Sequence, residues 1–327
     1  MTKVAINGLG RIGRTVLKLC IERKIDVVAV NDVVDPTTLV YFLKYDSVYG
    51  NYNGKLEAGS GFIKMAGKKI NVLSEKDPQS LPWKSLGVEV VIESTGIFVD
   101  REGAEKHLKA GAKRVIITAP AKNPDFAVVL GVNEDKLKKE HKIISMASCT
   151  TNCLAPIAKI LNDNLVIEKA FMTTAHAYTN DQRIIDSPHK KLRRGRAGAV
   201  NIIPTSSGAT SAVAEVIPEL KGKMDGLALR VPVPCGSIVD FVCMVKKQTT
   251  KEEVNSMIKK ASQGKLKGIL EYTEDEIVSS DIIGNSNSSI FDSQLTQVNG
   301  NLIKVLSWYD NEYGYSTRIV DLLKYLK

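Results

Sequence analysis

The sequence predicts an α/β protein, with a doubly wound parallel sheet in its first half and an α+β arrangement in its second half. Two observations support this fold class. Short apolar, β-branched runs alternate with helical patterns up to the middle of the chain, and long strand-like stretches dominate after Cys153. Alternation of the first kind is typical of a parallel sheet with helices on both faces, whereas runs of strands are typical of a mostly antiparallel sheet.

Composition and charge limit the classes of protein that fit this chain. Its 327 residues, 43% hydrophobic and 25% charged, match a soluble globular protein of two domains. No apolar run is long enough to predict a transmembrane helix. The net charge of +9 is spread over lysine pairs, apart from a dense cluster at residues 190–196. That cluster suits a surface loop, an anionic substrate, another subunit or a polyanion.

Cysteine usage and the first residues predict a cytoplasmic location. The five cysteines are scattered and odd in number, which does not suggest a disulfide framework. A strand pattern begins at Lys3, so we expect no signal peptide. The spacing of Cys149 and Cys153 is a weak metal signal, and we expect no metal site.

The first βαβ unit has the pattern of a dinucleotide-binding site. A strand predicted at Lys3–Asn7 leads into a G-x-G-x-x-G turn, and helical spacing follows over Thr15–Glu22. In such a turn the first glycine permits a tight bend, the second lets the backbone approach the pyrophosphate, and the third packs helix on strand. The residues of the turn are Gly8, Gly10, Arg11, Ile12 and Gly13.

An acidic residue after the second strand predicts which dinucleotide is bound. The strand predicted at Val27–Val30 ends in Asn31 and Asp32. Asp32 lies about 20 residues beyond the glycines, where a carboxylate bonds the ribose hydroxyls and repels a 2′-phosphate. The first half therefore reads as a Rossmann domain that prefers NAD to NADP.

Further βα alternation extends this sheet towards the middle of the chain. Strands are predicted at Val88–Glu93, Arg114–Ile117, Ala127–Leu130 and Ile143–Ser145, and a helix at Arg101–Ala110. Ligands of such sheets bind beyond the carboxyl ends of the strands. The candidate cofactor residues there are Thr95, Gly96 and Thr118, with Lys76 in a nearby loop.

A candidate nucleophile follows the last of these strands. Ser148 is a good N-cap, which places Cys149 in the first turn of a helix. The partial positive charge and free N–H groups of a helix start favour thiolate over thiol and can hold an oxyanion. The alternative is a buried structural cysteine, which the polar neighbours of Cys149 make less favourable.

His176 is the candidate base, because it ends a predicted strand, Ala170–Ala177, that follows the nucleophile. Its imidazolium would stabilise a thiolate and exchange protons with the substrate. A surface or satisfied core histidine is the alternative. His107 and His141 are expected to be inert, and His189 to be part of a loop.

The second half contains candidate anion-binding residues. Ser207 and Gly208 lie in a hydroxyl-rich turn into a helix, a form that suits an anion. Arg230 lies inside an apolar strand and needs either an acid partner or a phosphate. Together with these three residues, Thr179 and Arg194 could bind two oxyanions.

The remaining elements of the second half complete the predicted domain division. Strands are predicted at Gly226–Val233, Ser237–Val245 and Leu302–Tyr309, with a helix at Lys251–Ala261. We expect an NAD-binding domain over residues 1–148, a catalytic domain over 149–310, and a terminal helix within 311–327 that packs back on the first domain.

Over essentially its full length, the chain resembles the phosphorylating glyceraldehyde-3-phosphate dehydrogenase family. The Ser-Cys-Thr-Thr-Asn-Cys motif is its most specific part. The stretches that carry the resemblance are Asn7–Arg14, Asn31–Asp32, Lys44–Ser47, Ala147–Pro156, His176–Asp181, Leu229–Pro232 and Tyr309–Glu312. Met146 and Ser211 depart from the usual residues, Asn and Lys.

The resemblance implies a role for each matching residue, with Cys149 as nucleophile and His176 as base. The attacking inorganic phosphate would be held by Ser148, Thr150, Ser207 and Gly208. The substrate's own phosphate would be held by Thr179, Arg194 and Arg230. NAD would contact Arg11, Ile12, Asp32, Lys76, Thr118 and Asn311, the last through the nicotinamide carboxamide.

The resemblance also implies a homotetramer that converts glyceraldehyde 3-phosphate and phosphate. Residues from about Tyr178 to Val200 would form an S-shaped loop that packs between subunits. Close alternatives are erythrose-4-phosphate dehydrogenase and a family member that runs in the reductive direction. The basic charge also allows a nucleic-acid-binding or surface-binding protein on the same fold, and an NAD sensor without turnover is a further option, although nucleic acid is not required.

Overall fold

The structure, a computed structural model, describes residues 2–326. The chain divides into two compact units. The first contains the described residues up to Val128, Asp135–Ala147, and the residues from Ser316 onward. The second contains Val129–Glu134 and Ser148–Tyr315.

The first unit is built on one sheet with a parallel centre. Its strands are β1 (Lys3–Asn7), β2 (Asp26–Asn31), β3 (Leu56–Gly59), β4 (Phe62–Met65), β5 (Lys68–Leu73), β6 (Val90–Glu93), β7 (Arg114–Ile117), β8 (Phe126–Ala127) and β9 (Ile143–Ser145). They lie in the order β3-β4-β5-β2-β1-β6-β7-β9-β8. In this spatial order, every pair of neighbouring strands from β5 through β2, β1, β6, β7 and β9 to β8 is parallel. This arrangement confirms the predicted parallel sheet.

The sequence-based prediction missed the antiparallel meander β3-β4-β5 at one edge of this sheet. Its turns are made at Gly61 and Gly67, both with positive φ, at 70° and 83°. Strands β4 and β5 carry Lys64, Lys68 and Lys69, and all three strands are partly exposed, so they lack the continuous apolar run of a buried parallel strand. Predicted strand Ala127–Leu130 is also shorter in the structure, ending at Ala127.

Four helices connect the strands of the first unit within the described residues. They are α1 (Arg11–Glu22), α2 (Pro36–Lys44), α3 (Trp83–Leu86) and α4 (Arg101–Lys109). Asp35 and Asp100 cap α2 and α4 by accepting bonds from first-turn N–H groups. Helix α1 begins one turn earlier than predicted, because its first turn contains part of the glycine motif.

The second unit combines helices with a mixed sheet. In chain order its elements are α5 (Cys149–Leu165), β10 (Ile167–Ala177), β11 (Ile203–Ser206), α6 (Ala209–Val216), β12 (Met224–Val231), β13 (Ser237–Val245), α7 (Lys251–Gln263), β14 (Leu270–Thr273), β15 (Ser289–Asn299) and β16 (Leu302–Tyr309). The strand order is β11-β12-β10-β13-β16-β15-β14. Helix α8 (Tyr313–Tyr325) follows β16 and continues into the residues of the first unit.

The α+β, mostly antiparallel character of the second unit is confirmed. Among the strand pairs of this unit within the described residues, only β10–β12 and β14–β15 are parallel. Strands β11, β14 and β15 were not predicted. The parallel β10–β12 pair matters for the site, because it places the ends of two strands side by side.

Candidate active site

The candidate nucleophile lies at the start of α5. Ser148 is the N-cap, with extended backbone (φ −111°, ψ 164°), and its Oγ accepts a bond from the backbone N–H of Thr151 at 3.0 Å. Cys149 is the first residue of the helix, which confirms the predicted cap, and it is partly exposed. The first N–H groups of a helix have no intrahelical partner, so this position has donors available for an oxyanion.

His176 lies beside this cysteine, near the carboxyl end of β10. Its Nε2 is 3.4 Å from Cys149 Sγ. The ring packs edge-on against Tyr309, whose hydroxyl is 2.9 Å from the hydroxyls of both Thr150 and Thr174. The structure therefore brings together the two residues that the sequence suggested as nucleophile and base.

Burial controls the protonation of this pair. It raises the pKa of the Cys149 thiol, which the Arg230 charge and hydrogen bonds from Thr150 only partly oppose. Burial also lowers the pKa of His176 to about 3, and the Arg230 charge adds to this effect. Burial thus opposes the effect of the helix start on the Cys149 sulfur, and the thiolate expected there stays a prediction.

Arg230 lies next to His176 because of strand register. In the parallel β10–β12 pair, His176 is opposite Arg230. Arg230 Nη1 is 2.8 Å from His176 Nδ1 and 3.1 Å from the Ala177 carbonyl. Its Nε is buried without a hydrogen-bond partner, and no carboxylate in residues 2–326 forms an ion pair with it. The structure offers no acid partner, which leaves an anionic ligand as the interpretation.

Thr179 and Arg194 lie in the loop after β10. Arg194 pairs with Asp181. The Thr179 backbone N–H and hydroxyl both donate to Gln182 Oε1, each at 2.9 Å. The Arg194 charge contributes to lowering the pKa of His176, so the two groups are electrostatic neighbours. Sequence reasoning missed Gln182, which lies three residues further along the loop and holds Thr179 in place.

Ser207 and Gly208 connect β11 to α6. Gly208 is exposed and is the N-cap of α6, which has no side-chain cap. The Ser207 Oγ accepts a bond from the backbone N–H of Ala209 at 3.2 Å. An uncapped helix start beside a hydroxyl group has the donors that an anion needs.

The glycine turn of the first unit fits a dinucleotide. Gly8 has φ +91°, and a Cβ there would lie 2.8 Å from the backbone nitrogen of Thr95. A Cβ on Gly13 would overlap the Gly8 carbonyl. At Gly10, by contrast, a Cβ would meet no described atom within 4 Å. The turn therefore needs glycine for its own packing at two positions and leaves open space for a pyrophosphate at the third.

Asp32 lies where the sequence placed it, directly after β2. Its Oδ2 accepts the Leu9 backbone N–H at 2.7 Å, and its Oδ1 accepts the Val34 N–H at 3.2 Å. The carboxylate is half-buried and keeps further acceptor positions for ribose hydroxyls. Asp32 thus also holds the glycine turn, a role that the motif alone did not suggest.

The Asn31 side chain forms hydrogen bonds both to Asn7 of β1 and to the loop that carries Lys76. Its Nδ2 donates to Asn7 Oδ1 at 2.7 Å and to the Glu75 carbonyl at 2.9 Å, and its Oδ1 accepts the Glu75 N–H at 2.8 Å. Both ends of the amide are used within the protein, so Asn31 positions this loop. Lys76 itself is exposed.

Sequence reasoning missed a buried polar network beneath the glycine turn. Glu93 accepts bonds from Asn7 Nδ2 at 2.6 Å, His107 Nε2 at 3.0 Å and the Thr95 N–H at 2.8 Å. Trp83 Nε1 donates to His107 Nδ1 at 3.0 Å, which leaves the His107 proton on Nε2. His107, which we expected to be inert, is fully buried and supports the loop at Thr95.

The other candidate cofactor residues of the first unit lie at strand ends or at the helix start. Gly96 follows β6 with φ +72°. Thr118 follows β7, and its backbone N–H donates to the Glu93 carbonyl at 3.0 Å. Arg11 pairs with Asp46 at 2.9 Å, and the neighbouring Ile12 is partly exposed.

Asn311 lies in the second unit with a fixed side-chain amide. Its Oδ1 accepts bonds from the Gly236 N–H at 3.1 Å and the Ser237 hydroxyl at 2.9 Å. Since the carbonyl end is occupied, the amide presents N–H donors to a ligand. Sequence reasoning missed Gly236 and Ser237, whose hydroxyl also accepts the Ala177 N–H at 3.0 Å.

Two kinds of feature are absent from residues 2–326. None of the helices there combines the length and apolarity that crossing a membrane requires. No group of three or more His, Cys, Asp or Glu side chains in that range is arranged to hold a metal ion.

Comparison with known proteins identifies the family. The family model described as "Glyceraldehyde 3-phosphate dehydrogenase, NAD binding domain" matches residues 2–101, and the one described as "Glyceraldehyde 3-phosphate dehydrogenase, C-terminal domain" matches residues 148–311. Glyceraldehyde-3-phosphate dehydrogenase of Thermotoga maritima is 59% identical over 100% of this chain and 99% of its own. The Borreliella burgdorferi protein of that name is 57% identical over 99% of both chains, and that of Geobacillus stearothermophilus 54% identical over 99% and 98%. The chain belongs to the glyceraldehyde-3-phosphate dehydrogenase family.

Proposed function

We propose that the protein oxidises D-glyceraldehyde 3-phosphate to 1,3-bisphosphoglycerate in glycolysis, using NAD and inorganic phosphate. The observation that carries this proposal is the Cys149–His176 pair, with Sγ and Nε2 3.4 Å apart, beside Arg230, whose Nε is buried without a partner and which forms no ion pair within residues 2–326. A nucleophile, a base and an anion-binding cation are the groups that a phosphorylated aldehyde needs. Relatives of this name match the chain over nearly its full length.

In the first step, the Cys149 sulfur attacks the aldehyde carbon. The thiol proton passes to His176 Nε2 and then to the carbonyl oxygen, which gives a thiohemiacetal. The backbone N–H at the start of α5 stabilises the developing oxyanion. This route starts from a thiol, which agrees with the raised pKa of Cys149.

In the second step, His176 removes the hydroxyl proton while a hydride leaves the same carbon. Bound NAD supplies the hydride acceptor. The product is a thioester of Cys149. Inorganic phosphate then attacks its carbonyl carbon, the sulfur leaves, and the acyl phosphate is released. The thioester retains the energy of the oxidation that hydrolysis would otherwise dissipate.

Two anion sites serve these steps. Arg230, Arg194 and Thr179 hold the phosphate of the substrate, because Arg230 needs an anion and Arg194 lies within electrostatic reach of His176. Ser148, Thr150, Ser207 and Gly208 hold the attacking phosphate, which the uncapped start of α6 supports.

NAD binds at the glycine turn of the first unit. The open space at Gly10 supports this placement, and Asp32 selects against a 2′-phosphate. The other proposed contacts come from Gly8, Arg11, Ile12, Gly13, Asn31, Lys76, Thr95, Gly96 and Thr118, with Asn311 donating to the carboxamide. In this proposal the NAD-binding domain extends to residue 148 and the catalytic domain covers 149–310.

The proposed assembly is a cytoplasmic homotetramer. The loop from Tyr178 to Val200 carries large apolar side chains that are well exposed, among them Ile184 at 89% and Leu192 at 85%. Exposed apolar groups of this size are typical of a protein–protein interface.

The proposed function is tested by NADH production from glyceraldehyde 3-phosphate with and without inorganic phosphate. We expect sustained turnover only when phosphate is present, since phosphate releases the thioester. Erythrose 4-phosphate, assayed in parallel, is expected to turn over more slowly. Faster turnover of erythrose 4-phosphate, or turnover independent of phosphate, would refute the proposed reaction.

A further inference from the structure

One hydroxyl group bridges the ends of neighbouring strands in the second unit. Strand β13 lies between β10 and β16, and its first residue, Ser237, is opposite Tyr309 at the end of β16. Ser237 is only 1% exposed. Its Oγ is 3.0 Å from the backbone nitrogen of Ala177, which ends β10, and 2.9 Å from Oδ1 of Asn311, just beyond β16. The hydroxyl therefore connects the strand that carries the base to the residue proposed to hold the nicotinamide.

Donors on the protein side decide which way the Asn311 amide points. The backbone N–H of Gly236 reaches the same side-chain atom of Asn311, at 3.1 Å, and an N–H needs an acceptor. That atom is therefore the amide oxygen. The Ser237 hydroxyl accepts the Ala177 N–H and donates its own proton to this oxygen. The opposite placement would set the NH2 group of the amide against the N–H of Gly236.

The other end of the amide is left for a ligand. Asn311 is 6% exposed, and its Nδ2 forms no hydrogen bond within residues 2–326. This nitrogen is nevertheless not among the buried polar atoms that are closed off from solvent without a partner. An NH2 group offers two donors and no acceptor. The group that it contacts on a cofactor must therefore be a hydrogen-bond acceptor.

The backbone beside Asn311 is held as well as its side chain. The Oδ1 of the preceding residue, Asp310, accepts the N–H groups of Glu312 at 2.9 Å and Tyr313 at 2.8 Å. The thiol of Cys235 donates to the same oxygen at 3.2 Å. Residues 235–237 are thus bonded to residues 310–311 at three successive positions, which leaves the Asn311 side chain little freedom to meet a ligand from another direction.

We infer that Ser237 is a positioning residue whose hydroxyl holds the Asn311 amide so that only N–H donors face the cofactor. The site thereby recognises the carbonyl oxygen of a carboxamide and not its NH2 group. The same hydroxyl fixes this contact relative to β10, in which His176 directly precedes Ala177. This inference rests on the proposed function, in which Asn311 binds the nicotinamide carboxamide, and adds the residue that decides which atom of it is recognised.

Binding of reduced cofactor, titrated by calorimetry without aldehyde, tests the role of Ser237. ADP-ribose, which lacks the nicotinamide ring, is the reference for the rest of the cofactor site. In Ser237→Ala we expect NADH to bind about fivefold more weakly, the effect of one hydrogen bond, with ADP-ribose binding unchanged. Equal weakening of both ligands, or of neither, would overturn the inference.

A matched control removes another buried hydroxyl of the same sheet. Ser289, at the start of β15, is fully buried, and its Oγ is 2.7 Å from that of Ser307. In Ser289→Ala we expect the ratio of the NADH and ADP-ribose dissociation constants to equal that of the unmodified protein. A ratio shifted as far as in Ser237→Ala would show a general loosening of the sheet and overturn the inference.

A double-mutant cycle tests whether Ser237 acts through Asn311. In Asn311→Ala the carboxamide contact is already lost, so adding Ser237→Ala should change the dissociation constant of NADH by less than about twofold. The full loss seen in the single Ser237→Ala variant, repeated in the double variant, would mean that Ser237 acts independently of Asn311. That result would overturn the inference.

A cofactor analogue tests the recognised atom in the unmodified protein. Reduced 3-acetylpyridine adenine dinucleotide keeps the carbonyl oxygen but has a methyl group in place of the NH2 group. We expect it to bind within about fivefold of NADH, since the bond from Asn311 Nδ2 is retained. Weaker binding would show that the NH2 group is recognised and would overturn the inference. Failure of both NADH and ADP-ribose to bind would instead refute the proposed cofactor, so the two proposals can fail separately.

Discussion

At the scale of single residues, the chemistry of this protein depends on one sulfur in an environment that disfavours its charge. Cys149 has helix N–H groups beneath it and the cationic Arg230 nearby, yet burial keeps its pKa raised. His176 Nε2 lies 3.4 Å from this sulfur and is placed to exchange a proton with it.

Replacing Cys149 by Ser tests the covalent route. We expect turnover to fall by more than about a thousandfold, as is usual when a covalent nucleophile is lost. NAD binding, measured by fluorescence titration, should be unchanged. Cys153→Ser is the matched control, because Cys153 is fully buried on the same helix and its sulfur contacts Ser289. Substantial activity in Cys149→Ser would rule out the thioester.

The pKa of His176 predicts an acid-sensitive stability. Because folding lowers this pKa from 6.5 to about 3, the unfolded chain binds a proton that the folded chain does not. The stabilisation is present above pH 6.5 and is lost as the pH falls towards 3, by up to about 1.4 kcal/mol per pH unit. Urea unfolding at several pH values measures the free energy of unfolding. As the pH falls, we expect this free energy to decrease less steeply in His176→Gln than in the unmodified protein. Equal dependence on pH in the two proteins would contradict the assignment to His176.

Asp32→Ala should relax the choice of cofactor. The carboxylate repels a 2′-phosphate, so its removal is expected to lower the ratio of kcat/KM for NAD over NADP by at least about tenfold. Some loss of NAD affinity is also expected, because Asp32 holds the Leu9 N–H of the glycine turn at 2.7 Å. Steady-state kinetics with both cofactors measure the ratio. An unchanged ratio would show that Asp32 serves only the turn.

At the scale of elements, the ends of β1 and β6 and the start of α1 form one packed unit. Gly8 crosses the backbone of Thr95 so closely that a Cβ would lie at 2.8 Å. Thr95 is in turn held by the buried Glu93, which His107 supports. These buried bonds hold the loop at Thr95, which lies against the glycine turn, in one position.

Two glycine substitutions should separate packing from binding. In Gly13→Ala the new methyl group overlaps the Gly8 carbonyl, so we expect a loss of folding stability of about 2 kcal/mol or more, together with loss of NAD binding. In Gly10→Ala the methyl group meets open space, so the fold should remain while NAD binding weakens. Thermal unfolding and NAD titration distinguish the two. Equal destabilisation of both variants would contradict this reading of the turn.

At the scale of the whole molecule, the exposed apolar side chains of the second unit call for a partner. They are concentrated in the loop after β10, which also carries the basic cluster at residues 190–196. Ion pairs such as Arg196–Asp186 hold the loop locally without covering its apolar groups. A second copy of the chain would cover them in the proposed homotetramer.

Leu192→Glu should weaken that assembly. Its side chain is 85% exposed in a single chain, so a charge there costs little until it is buried against another subunit. Light scattering is expected to give a tetramer for the unmodified protein and smaller species for the variant. Leu227→Glu, at 43% exposure on β12, controls for added charge. An unchanged mass for Leu192→Glu would place the interface elsewhere.

The sequence by itself determined the features that depend on neighbours along the chain. The glycine turn after β1, Asp32 after β2 and the Ser148 cap of α5 each rest on short-range spacing and backbone preference. The alternation of strands and helices likewise predicted both classes of sheet. The meander β3-β4-β5 escaped prediction because its short, partly exposed strands carry no continuous apolar run, although Ile63, Met65 and Ile70 are buried.

Only the tertiary structure decided how distant residues act on one another. The register of β10 and β12 places Arg230 against His176, 54 positions apart, and no local pattern encodes that pairing. The same holds for His107 on Glu93. Burial likewise raises the pKa of Cys149 against the effect of the helix start, because desolvation depends on everything packed around a group, whereas the sequence showed only the helix start beside it.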